Sequence, residues 1–578
     1  AQTEVEGEVS GEWNAEGSPY IVVDSTWVPE GEELRILEGV TVRFAAETGL
    51  YVYGMMSAIG TEEDSVHFTT NEEGEEWAGI HFYQQRETYE FEYCTIRNAF
   101  NGLVTSLRNY LSVIHSDINC TYIAFGLLDP NNEDLGGNRY HFENSLIVGG
   151  RRATMSRSRL EGINCYLSTG GYEGGRWGFS SFGSIDLTNC DVIGTVGQGI
   201  SADLRNCNIY SPDEFDISVW IVGGLIHDCY VEGSVTVLAS NTDVLRNEIE
   251  GILRVQSYSG LLSENVSERI TVNSCDDTVT VANCVATNRV SFTDSNVVEM
   301  FGCHILGDGD PRSSTLNLQG LDNNEPPYKV HHNLILGRIH SHGDYIDLGM
   351  YNNTIIAESL NWALIEIGHE NGSADITNNI MICEGDNDGL YYPHNYPADN
   401  ANIRYNLMYG FDQFSYRYHA EDFELHESNL FDVDPLLVSL DPLDPRPTQD
   451  SPCVDAGHPN SPRDPDGTRA DIGMFYYHQE LKAKPRREVE QPPTELLSVY
   501  PNPFNSVSTF AFSLEQPGTV RIDIFNAFGR KQAELLSGNF STGLHSVSWD
   551  GGGLPSGDYL IRMSACGKIF TRKVTLLK

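Results

Sequence analysis

Lys and Arg are scarce in this 578-residue chain: 36 of them face 82 Asp and Glu, a net charge of −46. The last 99 residues hold 12 of the basic and 9 of the acidic residues, which leaves 24 against 73 for residues 1–479. Such a field repels nucleic-acid phosphate and anionic lipid, so neither is expected as a partner. Polyanionic sugars are repelled too, unless divalent cations bridge the charges; solubility is the plain consequence of the acidity. No run of 18 apolar residues occurs, so no transmembrane helix is expected. No nucleotide-binding glycine loop, H-E-x-x-H or G-x-S-x-G is present. Helical spacing of apolar residues is missing as well.

What is present is a recurring phrase between about Tyr93 and Gly410: a small polar residue, a short apolar strand, often a Gly. Examples are Asn189-Cys-Asp-Val-Ile-Gly, Asn206-Cys-Asn-Ile-Tyr, Asn333-Leu-Ile-Leu-Gly and Asn353-Thr-Ile-Ile. Steps of roughly 20 to 30 residues, with other β-branched runs such as Val235-Thr-Val-Leu between, indicate a solenoid of short strands, a parallel β-helix. The same alternation starts early, in Tyr20-Ile-Val-Val, Val40-Thr-Val-Arg-Phe and Leu50-Tyr-Val-Tyr. Residues 1–24 are expected to cap the open end, with Trp13 and Trp27 as cap aromatics, and residues 25–479 to form the helix and its closing segment.

Several of the 12 cysteines share one position of the repeat: Cys165, Cys190, Cys207, Cys229, Cys284 and Cys303. Equivalent positions on neighbouring rungs lie about 4.8 Å apart, with parallel Cα–Cβ vectors. That keeps Cβ atoms wider than the ~3.8 Å a disulfide prefers. Stacked, buried thiols are therefore expected, with disulfides as the alternative in an oxidising setting.

Candidate sites lie where the repeat is interrupted. Long turns fall near 127–141, 168–183, 307–330 and 384–401. The last holds Tyr391, Tyr392, His394 and Tyr396, a group able to stack on sugar rings or to pack over its own solenoid. His304, His331, His332, His340, His342 and His369 fall in consecutive rungs, and His340 and His342 share a strand face if extended. That pair suits a metal or a base; exposed turn histidines are the plainer reading. Asp464, Asp466 and Asp471, with Gly467, look like a short Ca²⁺ loop or like turn-closing carboxylates; a structural Ca²⁺ is the one cofactor suggested. Asn241-Thr-Asp243 and Asp276-Asp277 match two elements of the polygalacturonase signature, but its later Gly-His-Gly and Arg-Ile-Lys elements are missing.

Three stretches resemble known families. Ser18-Pro-Tyr-Ile-Val-Val and Val28-Pro-Glu-Gly-Glu-Glu-Leu-Arg-Ile-Leu resemble the opening of secreted bacterial right-handed β-helix proteins, which implies a right-handed coil. Asp432-Val-Asp-Pro435, Ser451-Pro-Cys-Val-Asp-Ala-Gly457 and Asp464-Pro-Asp-Gly-Thr-Arg-Ala-Asp-Ile-Gly473 resemble the closing segment of choice-of-anchor β-helix proteins. After a charged, Pro-bearing linker at 480–493, residues 494–578 alternate at period two, as in Val520-Arg-Ile-Asp-Ile-Phe. Tyr500-Pro-Asn-Pro-Phe-Asn505, Asn526-Ala-Phe-Gly-Arg530, Gly543-Leu-His-Ser-Val-Ser-Trp-Asp-Gly551 and Leu554-Pro-Ser-Gly-Asp-Tyr559 resemble the C-terminal sorting domain of the type IX secretion system. That resemblance implies an immunoglobulin-like sandwich, recognition by the export machinery, and a secreted or cell-surface protein. The expected function is a non-catalytic structural, adhesive or glycan-contacting role. The alternatives are a polysaccharide lyase or glycoside hydrolase in an acidic groove, and a self-assembling filament or surface-layer subunit.

Overall fold

The computed structural model describes residues 2–479 apart from 106–107, 128–136, 150–152, 156–157, 170–178, 182, 211–216, 239–241, 257–258, 276–277, 296, 311–312, 321–326, 344–345, 358–362, 370–372, 384–387, 393–400, 412, 418–425 and 441–443. It also describes residues 495–576 apart from 501–506, 527–529, 541–542 and 566. The chain forms two compact units, Ala1–Gln479 and Glu480–Lys578. No helix occurs among the described residues.

The first unit is a parallel β-solenoid, with 48 strands among the described residues. Each coil visits three faces. Thr41–Phe44, Gly49–Val52 and Met55–Ile59 lie on the first, second and third faces of one coil, and Val66–Thr70, Gly79–Phe82 and Thr88–Glu92 follow on the next. Pairing is parallel throughout, so residues one coil apart stack in files. On the first face one inward file runs Val42, Phe68, Ile96, Ile118, Ile147, Leu167, Val192, Ile209, Val231 and Ile249. All are buried. This column is what the β-branched runs build, and its burial is the main driving force for stacking. Thr3–Glu8 and Gly11–Trp13 already pair in parallel with the following coil, so the first strands sit inside the stretch assigned to the cap. Trp13 is buried and stacks on Tyr20 at 4.5 Å.

The corner between the third and first faces explains the repeated phrase. One residue there is left-handed, with φ near +50° at Asn144, Asn164, Asn189, Asn206 and Asn352, where Asn tolerates the conformation. The next residue turns inward: Cys165, Cys190, Cys207, Cys229, Asn247, Asn265, Cys284, Cys303, Asn333, Asn353, Asn379 and Asn406, all buried. The phrase therefore contains two asparagine ladders, not one interior one. Outside, Asn164 donates to Asn144 at 3.0 Å, Asn189 to Asn164 at 3.1 Å and Asn206 to Asn189 at 2.6 Å, all exposed. Inside, Asn333 donates to Asn353 at 3.0 Å, Asn353 to Asn379 at 2.9 Å and Asn379 to Asn406 at 3.0 Å. Each buried amide is thereby satisfied, as a buried polar file must be. Every cysteine among the described residues is a buried thiol outside any disulfide.

The closing segment folds back along the stack. Cys453 and Ile472 pack on Ile380, Ile382 and Leu407. Gly473 N donates to Asn378 O at 2.8 Å, and Met474 N to Thr354 Oγ1 at 3.0 Å. Among its described residues the second unit has seven antiparallel strands in a three-stranded and a four-stranded sheet around Phe510, Phe512, Ile522, Ile524, Trp549 and Ile561.

Candidate functional site

The second face carries an aromatic groove at the N-terminal end of the solenoid. In Leu50-Tyr-Val-Tyr, Leu50 and Val52 point inward, so Tyr51 and Tyr53 point out. Register then stacks Trp27, Tyr51 and His81 in one file. Tyr53 and Tyr83 stand in the next, each N–H bonded to the coil before it: Tyr53 N to Val28 O at 2.9 Å and Tyr83 N to Val52 O at 2.8 Å. Tyr53 and Tyr83 stack at 4.7 Å, and Tyr51 stacks on His81 at 5.4 Å. Gly54 permits the close turn behind Tyr53, because a Cβ there would meet Pro29 O at 2.3 Å and Glu32 O at 2.2 Å. The resulting groove, about 600 Å³, is lined by Ser25, Trp27, Pro29, Glu30, Tyr51, Tyr53 and Tyr83. That volume is within the range of small-ligand sites. Tyr53 is 43% exposed. Burial, then the neighbouring tyrosines, raises the Tyr83 pKa, and burial lowers that of His81, so both of these rings are uncharged at neutral pH. Ring faces, a carboxylate and a hydroxyl on a rigid sheet are the chemistry that holds a sugar. Sequence reasoning passed over this groove. Its signal was the pair of outward aromatics in Tyr51-Val-Tyr53 matched by His81-Phe-Tyr83, which reads as ordinary strand alternation until register is known.

Further along the same face, His340 and His342 do share a strand face, their rings stacked at 4.5 Å. Glu366 lies on the next rung, 3.6 Å from His340 Nε2, and pairs with Arg338. Burial, then the charges of His342 and Arg338, pushes His340 down to about 4, leaving a neutral ring. His342 Nδ1 and Arg338 Nε are buried without a partner. Tyr391 pairs in register with Glu366 on the neighbouring rung. The backbones of Tyr391 and Tyr392 end the strand Asp388–Tyr392; His394 and Tyr396 lie outside the described residues, as do most of the long turns. His304, His331 and His332 do not join: His304 lies on the first face, His331 stacks on Phe301 of the third face and His332 occupies the left-handed corner, while the side chain of His369 lies outside the described residues. Asp243 is an exposed strand residue, while Asn241, Asp276 and Asp277 lie outside the described residues.

In the closing segment the three aspartates hold backbone. Asp464 accepts from Asp471 N at 2.9 Å, and Asp471 from Asp455 N and Tyr477 N, each at 2.7 Å. Asp466 accepts from Thr468 N at 3.0 Å and Gln479 N at 2.9 Å. Burial, then the charge of Asp471, pushes Asp464 up to about 7. Among the described residues no group of three or more His, Cys, Asp or Glu converges in a metal-binding arrangement.

The fold defines a class: a parallel β-solenoid followed by a separate antiparallel module. That module matches the family described as the secretion system C-terminal sorting domain over residues 498–576. The match marks the protein as secreted or cell-surface, exported by a type IX route whose machinery recognises this domain. Neither a curated protein nor a solved structure matches the chain.

Proposed function

We propose that this is a non-catalytic extracellular surface protein whose solenoid is a rigid, glycan-contacting shaft. The observation that carries the reading is the groove of Trp27, Tyr51, Tyr53 and Tyr83, presented on a sheet that needs no rearrangement to bind. The likeness of residues 432–473 to choice-of-anchor closing segments supports a surface setting. The seven strands of the C-terminal unit, in two antiparallel sheets, support an immunoglobulin-like module. A glycan array run beside reducing-sugar and unsaturated-product assays tests the reading. Binding without turnover, lost in a Trp27→Ala, Tyr51→Ala double variant, is the expected result. Turnover of any polysaccharide would overturn it in favour of a lyase or hydrolase, for which the His340–Glu366 cluster is the structural starting point.

A further inference from the structure

The acidity of the solenoid is not spread evenly. On the second face, register assigns the outward positions of five successive strands without ambiguity. One file runs Arg254, Thr271, Ser291, Asn317 and His340. Beside it run Gln256, Asn273, Thr293, Gln319 and His342. On the other flank Arg269 pairs with Arg289, and Arg338 opens the strand that follows Ser314–Gln319. No Asp or Glu occupies any of these positions, in a unit where acidic residues outnumber basic ones 73 to 24. Gln256 and Arg269 are exposed and the rest of the strip is partly so. Among the described residues Arg254 and Arg289 have no carboxylate within ion-pair distance, and Arg269 has only Glu268, at 3.2 Å.

We infer that this strip is a binding track for an acidic, carboxylate-bearing polysaccharide lying along the solenoid axis, across the strands. Charge complementarity selects the occupant. Arginines on successive rungs, about 4.8 Å apart, repel one another unless an anion lies between them, and their forks suit carboxylates. A small anion would engage one or two; only an extended chain engages Arg254, Arg269 and Arg289 together. The amides and hydroxyls between them are donors and acceptors for sugar hydroxyls. A nucleic acid would want Phe, Tyr or Trp faces for its bases, which these positions lack. The inference rests on the glycan-contacting reading for its sugar class, but the track is separate from the aromatic groove.

The test is retention of the full chain in gels containing polygalacturonate, with EDTA present to prevent cation bridging. Neutral dextran and single-stranded DNA serve as the other probes. Retention by polygalacturonate that weakens with salt is expected. It falls at least tenfold in an Arg254→Gln, Arg269→Gln, Arg289→Gln variant and rises in Glu268→Gln, which unmasks Arg269. A Trp27→Ala, Tyr51→Ala variant retains it in full, which separates this track from the groove. No retention of the parent chain, equal retention by the triple arginine variant, or tighter binding of DNA than of polygalacturonate each overturns the inference.

Discussion

Truncating Asn353 to Ala cuts the interior ladder between Asn333 and Asn379. Asn353 Oδ1 accepts from Asn333 N at 3.1 Å and Asn333 Nδ2 at 3.0 Å. Its Nδ2 donates to Val330 O at 2.8 Å and Asn379 Oδ1 at 2.9 Å. The site is fully buried, so no water replaces what is lost. The backbone N–H of Asn333 is then orphaned outright, while its Nδ2 keeps Met300 O at 3.0 Å. At about 1–3 kcal/mol for each buried group left unpaired, the variant loses roughly 2–5 kcal/mol. That is at the upper end of what one substitution does. The matched control is Asn189→Gly on the exposed ladder. Glycine keeps the left-handed corner at φ 55° and water takes over the lost amide bonds, so the change stays within about 0.5 kcal/mol. Because a solenoid coil touches only its neighbours, the damage is local. Hydrogen exchange of the full chain should quicken around residues 330–334 and 376–380 and leave the first coils unchanged. If urea midpoints of Asn353→Ala and Asn189→Gly shift equally, the ladder does not stabilise the stack and the argument from buried amides is wrong.

Removing one groove ring, as in Tyr51→Ala, is expected to weaken any glycan found on the array by about 1 kcal/mol, some fivefold in Kd by titration calorimetry. An unchanged Kd would place that glycan elsewhere. Burial pushes the thiols of Cys120 and Cys453 up to about 12 and raises that of Cys94, so a chromogenic disulfide reagent at pH 8 should leave them silent until denaturant is added; prompt labelling of the native chain at these positions would refute their burial. Asp464, with its folded pKa raised to about 7, holds its proton more tightly folded than unfolded. Its contribution is therefore fully present at low pH and is lost as pH rises through about 7. Asp464→Asn, which mimics the protonated group, should raise the melting temperature at pH 8 and not at pH 4; equal shifts at both would sink the assignment.

The stacking direction and the interior columns were legible because the solenoid repeats one short phrase. What the phrase hid was its phase. Asn189 and Asn333 head look-alike strings, yet one sits outside in a left-handed corner and the other is buried, displaced by a single residue. A one-residue offset changes which way a side chain points, and only register resolves it. The groove was missed for the same reason: Trp27, Tyr51 and Tyr83 are distant in sequence and adjacent only across coils. The pairing of His340 with His342 was legible since it depends on strand alternation alone, whereas Glu366 joins that cluster through inter-coil pairing.

The unbridged thiols set a timetable. A chain bound for the outside passes from a reducing to an oxidising compartment, and Cys165, Cys190, Cys207 and Cys229 occupy consecutive rungs of one file. While the coils are open, these sulfurs can cross-link in any register. Once closed, the stack holds them in parallel and out of reach. Parallel pairing between coils is slow to form, so each sulfur stays open to oxidants until its coil closes on the one before. Misbridged chains, rather than misfolded strands, are the failure such a molecule has to outrun.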